Sequence, residues 1–188
     1  MKPIHLRNIP KPSQSPETFN HTGFLDFLGS WIKPECYLEL GVRTGVNFQT
    51  IAKHCKKAIG VDSQPSPFEL NNNMEYHTMY TDDYFKNLDK DVKFDCVFID
   101  ADHSYKQSLK DFMNVKDRVI EDGFIFFHDT YPFNESLMVP WDCNDVYKTA
   151  LYIKENLIDE FEILTLPFNP GVTIVKKMNR NKQLIYKK

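Results

Sequence analysis

Acidic residues close several short apolar segments of this sequence. Carboxylates can bind hydroxyl groups, ammonium groups or metal cations, so their placement could carry chemistry. The acids concerned are Glu39, Asp62, Asp82, Asp100 and Asp129. If the segments are neighbouring strands, these acids meet in one crevice, where a ligand must compensate their charge. The alternative is that each acid is a solvated loop residue or a helix N-cap, a position that Asp often occupies.

Two of the chain's seven glycines stand within five residues of each other, in Glu39-Leu40-Gly41-Val42-Arg43-Thr44-Gly45. Gly41 permits a tight turn after a strand, and we expect Gly45 to let a ligand approach the backbone where a helix begins. The segment is neither a P-loop nor the G-x-G-x-x-G dinucleotide fingerprint. Because Asp62 ends the next apolar segment, its carboxylate is positioned to accept hydrogen bonds from both hydroxyls of a ribose.

Short apolar segments alternate with segments of helical spacing, which predicts a parallel sheet covered by helices on both faces. Apolar residues from Tyr105 to Ile120 predict one long helix, and Gly123 is expected to open the strand that follows. In such a sheet the carboxyl ends of the strands share one edge, and ligands bind there.

The chain has 188 residues, which indicates a single domain over residues 16–178, with an extended arm at 1–15 and a basic tail at 179–188. A net charge of −3 gives no support to nucleic-acid binding. No apolar run reaches the ~20 residues of a membrane span, and no secretory signal is evident. The four cysteines lack metal or disulfide spacing, which favours a reducing cytoplasm. A homo-oligomer is compatible with the sequence.

From Tyr37 to Val175 the chain resembles the class I S-adenosylmethionine-dependent methyltransferases. Two segments, 97–105 (VFIDADHSY) and 123–130 (GFIFFHDT), are similar to small O-methyltransferases of the macrocin O-methyltransferase and cephalosporin-hydroxylase-like groups. The resemblance implies an α/β fold, with a Rossmann-like seven-stranded sheet of order 3-2-1-4-5-7-6, strand 7 antiparallel and helices on both faces.

The same resemblance implies a cofactor site for S-adenosylmethionine. Glu39, Gly41 and Gly45 would surround the methionine part of the cofactor. Asp62 would hold the ribose, Asp82 would lie near the adenine, and Asp100 would face the cofactor. The family often has a glycine where this chain has Arg43, which puts the geometry of that loop in question.

Metal-dependent relatives place cation ligands at the positions of Asp100 and Asp129 and at a neighbour of the latter, which here is Thr130 or His128. The family order makes the two strands that end in these aspartates neighbours, about 4.8 Å apart, so both carboxylates could hold Mg²⁺ or another divalent cation. In macrocin-type relatives a histidine at the offset of His103 is the general base. An imidazole of near-neutral pKa can take a proton from a hydroxyl, with Asp100 beside it.

These features predict an S-adenosylmethionine-dependent O-methyltransferase that acts on a hydroxyl of a sugar or other small molecule, assisted by a divalent cation. One alternative is a metal-dependent glycosyltransferase that uses Asp100-Ala101-Asp102 as a D-x-D motif. A second alternative is a protein that binds the cofactor without catalysis. The loop at 131–141 carries many apolar residues and is expected to be a lid or substrate wall, or else to pack on the core.

Overall fold

The structure is a computed structural model that describes residues 21–167 and 170–179. Its centre is a seven-stranded sheet of order β3-β2-β1-β4-β5-β7-β6. The strands are β1 (Cys36–Leu40), β2 (Lys57–Asp62), β3 (Met74–Thr78), β4 (Phe94–Ile99), β5 (Val119–His128), β6 (Phe161–Leu166) and β7 (Val172–Lys177). The first five strands run parallel, and β7 is antiparallel to both β5 and β6. The predicted fold class and strand order are confirmed.

Five helices flank the sheet: α1 (His21–Ile32), α2 (Val46–Ala52), α3 (Thr81–Asn87), α4 (Tyr105–Val115) and α5 (Tyr147–Asn156). Successive residues of a strand point to opposite faces, so each inner strand is apolar on both sides. One apolar cluster joins Leu38 and Val97 to residues of α3, α4 and α5. The other joins Tyr37 and Phe98 to residues of α1 and α2. Helices therefore cover both faces of the sheet.

The boundary between α4 and β5 differs from the sequence prediction. The helix ends at Val115, and Val119 already pairs with Phe94 as the first residue of β5. The register then shifts, so that Cys96 pairs with Phe124. Within the shifted part of β5, Asp122 has a φ of 63°. Val119 and Ile120 continued the helical spacing by coincidence, and β-branched side chains fit a buried strand well.

The turn after β1 brings two strand ends into contact. Gly41 has a φ of +84°, and a Cβ placed there would lie 2.2 Å from the carbonyl oxygen of Asp100. The backbone N–H of Asp100 also donates to the carbonyl of Leu40 at 2.8 Å. No other residue type fits this turn, since it combines a left-handed conformation with backbone contact. The loops after β1 and β4 are thereby held side by side.

The predicted arm at 1–15 and residues 180–188 of the predicted tail lie outside the described residues. None of the five helices in the described ranges is long and apolar enough to cross a membrane.

Candidate active site

A cavity of about 930 Å³ opens at the carboxyl edge of the sheet. Its lining comes from the ends of β1, β2, β4 and β5, from the start of α1 and from the loop before α5. Of the acids predicted from the sequence, Glu39, Asp62, Asp100 and Asp129 line it. The strand order places all of these at one edge, which is why residues far apart in sequence meet here.

Asp62 holds the loop that follows β1. Its Oδ2 accepts the backbone N–H groups of Val42 at 2.9 Å and Arg43 at 2.8 Å, and its Oδ1 accepts that of Gln64 at 2.8 Å. Each carboxylate oxygen has two lone pairs, so Oδ1 keeps capacity for a further donor. Asp62 therefore shapes the loop in addition to facing the cavity.

Gly45 and Arg43 differ from the sequence expectations. Gly45 has a φ of +77°, and a Cβ there would lie 2.0 Å from the Phe68 ring. The close approach at Gly45 is thus made by Phe68, and Gly45 is absent from the cavity lining formed by described residues. Arg43 has a φ of 49°, a conformation that glycine adopts at lower cost, and its side chain is exposed at the cavity.

Glu39 is a buried carboxyl group at the base of the cavity, 1% exposed. The Tyr37 hydroxyl donates to its Oε2 at 2.5 Å. Burial raises the pKa of Glu39 well above its usual value, because an ionised carboxylate is costly away from water. A cationic ligand group at this position would favour the ionised form.

Asp82 faces a second, smaller cavity of about 310 Å³, which shares Gly41, Asp62 and Asp102 with the first. Its carboxylate pairs with Lys110 at 2.5 Å and accepts a hydrogen bond from Gln107 at 3.2 Å. The hydrogen bond from Lys110 lowers the pKa of Asp82. Asp82 thus lies beyond Asp62 as seen from the main cavity, as expected for the adenine end of a cofactor.

Two aspartates and two histidines form a cluster at the ends of β4 and β5. Nε2 of His103 lies 3.1 Å from Asp129 Oδ2 and 3.5 Å from Asp100 Oδ1. Nδ1 of His128 lies 3.3 Å from Asp100 Oδ1 and 3.2 Å from Asp129 Oδ1. Both carboxylates are thus bridged from two sides. His128, which the sequence placed only as a metal-site neighbour, is part of the cluster.

The cluster changes the protonation of its members. Burial alone would raise the pKa of Asp100, but hydrogen bonds from His103 and His128 lower it to about 2. The hydrogen bond to Asp100 raises the pKa of His103 to about 9, against the effect of burial. Burial would lower the pKa of His128, but the two aspartates raise it to about 10. His103 therefore carries a proton at neutral pH, and the expectation of a near-neutral imidazole is wrong for the protein without its cofactor.

His103 has only one ring nitrogen available to a ligand. Its Nδ1 is hydrogen-bonded to the backbone carbonyl of Asp142, which fixes the ring, and Nε2 points to the aspartates. Asp100, His103 and Asp129 can each offer one ligand atom, with all three atoms within 4.8 Å of one another. Two oxygens and one nitrogen form a donor set that fits a divalent metal, with imidazole favouring a transition metal over Mg²⁺.

Thr130 does not join this cluster. It is buried, and its hydroxyl oxygen accepts a hydrogen bond from the Thr173 hydroxyl of β7 at 2.8 Å. Asp129 has a φ of 59°, so the chain turns sharply between the two residues and directs Thr130 into the sheet. Its predicted metal role is therefore not supported, because the hydroxyl already has a partner away from the cavity.

His21, at the start of α1, is a residue of the site that sequence reasoning missed. Its ring lies against that of His128, with centroids 4.2 Å apart, and its Nδ1 is 3.3 Å from His128 Nε2. Burial, together with the charge of His128, lowers the pKa of His21 to about 4. The neutral His21 ring therefore accepts a hydrogen bond from the Nε2–H of His128. Nothing in the sequence near His21 signals this, because its partner is 107 positions away.

Comparison with known proteins identifies a methyltransferase domain in the chain. Residues 38–130 match the family model of a methyltransferase domain. No curated protein sequence matches the chain.

Three solved structures share the fold. An O-methyltransferase from Bacillus cereus in complex with S-adenosylhomocysteine is 17% identical, with 91% of this chain and 85% of that one covered and a TM-score of 0.65. A Podospora anserina methyltransferase bound to S-adenosylhomocysteine is 15% identical, with 84% and 78% covered and a TM-score of 0.65. The Streptomyces achromogenes O-methyltransferase of tomaymycin synthesis, in complex with S-adenosylmethionine, is 13% identical, with 84% and 79% covered and a TM-score of 0.60.

These structures establish the fold, and the family match runs from β1 to the residue after Asp129. Residues 38–130 of the chain are a methyltransferase domain, and the fold around them is that of the solved methyltransferases described above.

Proposed function

We propose that the protein is an O-methyltransferase that moves the methyl group of S-adenosylmethionine to a hydroxyl of a sugar or other small molecule. The observation that carries this proposal is the position of His103 Nε2. It lies between two carboxylates in a cavity that Glu39 and residues 41–44 also line. A base and a cofactor loop that face one cavity are what a hydroxyl-directed methyl transfer needs.

The cofactor would lie along the carboxyl ends of β1, β2 and β3. Glu39, Gly41 and Asp62 face the cavity where its methionine and ribose parts fit, and Asp82 faces the adjoining cavity. The buried Glu39 carboxyl group has no cationic partner among the described residues, and the ammonium group of the methionine part would provide one. Oδ1 of Asp62 has capacity for a ribose hydroxyl, although its Oδ2 already accepts two backbone N–H groups.

The acceptor hydroxyl would stand near His103, on the far side of the transferred methyl group. The hydroxyl oxygen bonds to the methyl carbon as the carbon–sulfur bond breaks, the proton passes to His103 Nε2, and neutral S-adenosylhomocysteine leaves. His103 must first lose its own proton, since the aspartates raise its pKa. The positive sulfonium of the bound cofactor favours that loss, because like charges repel.

We also propose a divalent cation held by the carboxylates of Asp100 and Asp129, which have ligand atoms within 4.8 Å of each other and of His103. A cation there would lower the pKa of the acceptor hydroxyl. Nε2 of His103 cannot bind a cation and take a proton at once. Turnover that is lost in EDTA and restored by Mn²⁺ or Mg²⁺ would support a cation held by the two carboxylates, with Nε2 left free to take the proton. Undiminished turnover in EDTA would refute the cation and leave His103 as the base.

Calorimetry with S-adenosylhomocysteine tests the cofactor assignment. Asp62→Ala should weaken binding by about 1.5–3 kcal/mol for each charge-assisted hydrogen bond lost. Asp62→Asn is the matched variant, because it keeps a carbonyl oxygen for the backbone N–H groups of the loop. Unchanged affinity in a folded Asp62→Ala protein would contradict the assignment.

The structure gives no independent support to the glycosyltransferase alternative. Asp102, the second acid of the D-x-D pattern, is exposed, and its Oδ1 accepts the backbone N–H of Ser104 at 2.7 Å just before α4. That is the role of a turn residue. Tight binding of a UDP-sugar with no response to S-adenosylhomocysteine would reverse this preference.

A further inference from the structure

We propose that Trp141 is the surface on which the methyl acceptor stacks, and that the acceptor is a ring compound without negative charge. This inference rests on the proposed function, because it names the class of acceptor that the same cavity would take. It concerns the loop between β5 and α5, on the side of His103 away from the cofactor acids.

Trp141 is an aromatic side chain left in water beside the cavity. It is 83% exposed, and it lines the cavity together with Pro140 and Asp142. An indole ring gains free energy by covering its face with another ring, and it also attracts cations to that face. A ligand in the cavity can reach the indole, whereas the protein itself leaves most of it uncovered.

The backbone around Trp141 is fastened to the catalytic end of α4. The N–H of Asp142 donates to the carbonyl of Val139 at 3.0 Å, which closes a turn around the tryptophan. The carbonyl of Asp142 accepts the hydrogen bond of His103 Nδ1. Further along, Asp145 Oδ1 accepts the N–H of Tyr105 at 2.6 Å. The residue that carries the stacking side chain, Trp141, therefore directly precedes the residue whose carbonyl orients His103.

The charges of the cavity select against anions. The described residues that line it include six with carboxyl groups: Glu39, Asp62, Asp100, Asp102, Asp129 and Asp142. Arg43 is the one lysine or arginine among those described lining residues. Asp100 and Asp129 are compensated by His103 and His128, whereas Asp102 and Asp142 have no salt-bridge partner among the described residues. An acceptor with a phosphate or carboxylate group would meet repulsion from these two acids, so this end of the cavity fits an uncharged or cationic molecule.

Other exposed apolar residues of the same loop do not share this position. Phe133 and Met138 are 41% and 40% exposed, yet neither lines the cavity. The apolar character of the loop as a whole therefore does not explain why Trp141 lines the cavity. Phe133 provides a matched control, since it is aromatic, exposed and eight positions away on the same loop.

The test uses three probes that share a hydroxylated ring and differ in charge: dopamine, catechol and dihydroxyphenylacetate. Their affinities for the protein saturated with S-adenosylhomocysteine are measured by calorimetry. A Trp31→Phe background leaves Trp141 as the one tryptophan, so its fluorescence reports whether a bound probe covers it. Affinity for S-adenosylhomocysteine is measured first in every variant.

We expect Trp141→Ala to weaken dopamine and catechol about ten-fold and Trp141→Phe to regain most of the loss. Phe133→Ala should bind as the wild type does, and dihydroxyphenylacetate should bind about ten-fold more weakly than dopamine. Equal affinities in Trp141→Ala, an anionic probe that binds as well as the cation, or no binding by any probe would overturn the inference alone. Failure of the wild type to bind S-adenosylhomocysteine would overturn the proposed function and this inference with it.

Discussion

Within the cluster at the ends of β4 and β5, the side chains compensate each other's charge. Asp100 and Asp129 face the protonated rings of His103 and His128, so the cluster is close to neutral without any ligand. A cation that entered would compete with the histidine protons for the same carboxylates. The protonation of two side chains and the affinity for a metal are therefore one coupled property.

Removal of the imidazole of His103 should affect turnover and leave cofactor binding almost unchanged. If Nε2 takes the acceptor's proton, His103→Ala should lower kcat by roughly 10²–10⁴, since the loss falls on the transition state. Rate, S-adenosylhomocysteine affinity and melting temperature are measured on the same variant.

Two other outcomes for His103→Ala have distinct meanings. A kcat near that of the wild type would exclude a general base at this position. A protein with a normal rate and a lower melting temperature would leave His103 as a structural residue that ties the loop at Asp142 to α4.

His21 should act as a positioning residue for His128. Nδ1 of His21 accepts a hydrogen bond from Nε2–H of His128, and the two nitrogens are 3.3 Å apart. His21→Ala removes this bond and should allow the His128 ring to turn. We expect kcat to fall about ten-fold with unchanged affinity for S-adenosylhomocysteine, the size typical of lost support for a site residue. His21→Asn should regain part of the rate, because its amide oxygen can replace Nδ1.

Nitrogen chemical shifts of His128 provide a readout for His21→Ala that does not depend on activity. The variant should alter the shift of Nε2, the nitrogen that faces His21. His54→Ala is the control, because His54 pairs with Asp26 in a separate contact. An unchanged His128 spectrum in His21→Ala would exclude the positioning role.

Individual site residues were predictable only where a local pattern marked them. Asp62, Asp100 and Asp129 stand directly after apolar strands, and that spacing was sufficient. His21 has no such pattern, since its place at the cavity depends on a contact with His128, 107 positions away. The raised pKa of His103 was equally beyond reach, because it depends on two carboxylates that meet only in three dimensions.

Among the elements, α4 carries a buried carboxyl group. Asp111 of α4 is fully buried; its Oδ1 accepts a hydrogen bond from Gln107 at 3.1 Å, whereas its Oδ2 has no partner. Burial raises the pKa of Asp111 to about 6. The folded protein therefore holds this proton more tightly than the unfolded chain does, and the contribution to stability is lost as the pH rises from about 4 to about 6.

Asp111→Asn should consequently stabilise the protein near pH 7, by about 1–3 kcal/mol in free energy of unfolding. The advantage should shrink at pH 4.5, where the wild-type carboxyl is largely protonated in the folded state. Urea unfolding at both pH values measures the difference, and exposed Asp91 replaced by Asn is the control. An equal effect of Asp111→Asn at both pH values would contradict the titration of this group.

Element types were predictable from apolar spacing, but two boundaries were not. The end of α4 was missed because Val119 and Ile120 fall at helical spacing, although a turn separates them from Val115. At Gly45 a close approach to the backbone was predicted, but for a ligand, and the group that makes this approach is the Phe68 ring. Such errors arise because local sequence does not reveal which distant side chain packs against a given position.

At the scale of the whole molecule, the catalytic edge and the opposite edge of the sheet can be perturbed separately. Lys177 closes the opposite edge: its Nζ donates to the carbonyls of Lys116 and Val119, both at 2.9 Å. Lys177→Met should lower the free energy of unfolding by about 1–3 kcal/mol, because both carbonyls lose a charged donor. Affinity for S-adenosylhomocysteine should remain unchanged.

The neighbouring Lys176 is the control for this prediction. It forms half-exposed ion pairs with Asp122 and Glu162, so Lys176→Met should cost no more than about 1 kcal/mol. Chemical denaturation and calorimetry on both variants measure the two effects. A loss of cofactor affinity in Lys177→Met would mean that the two edges of the sheet are coupled.

The sheet order was predicted through the resemblance, and spacing alone would not have provided it. Alternating strands and helices indicate parallel neighbours, but nothing in residues 161–177 states that β7 lies between β5 and β6. The order matters for the site, because Thr173 of β7 holds Thr130 directly after Asp129.

This position of β7 sets an order of events while the chain is being synthesised. Every acid and histidine of the cluster has been synthesised once the ribosome has added residue 129. The strand that covers the second edge of β5 is β7, which comes last of the seven strands in chain order. Until it arrives, β5 exposes an unpaired edge of phenylalanine-rich backbone, which is prone to pair with other chains. A nascent chain therefore carries a complete set of reactive side chains without the frame that holds them, and it stays vulnerable to misassociation until β7 has been synthesised.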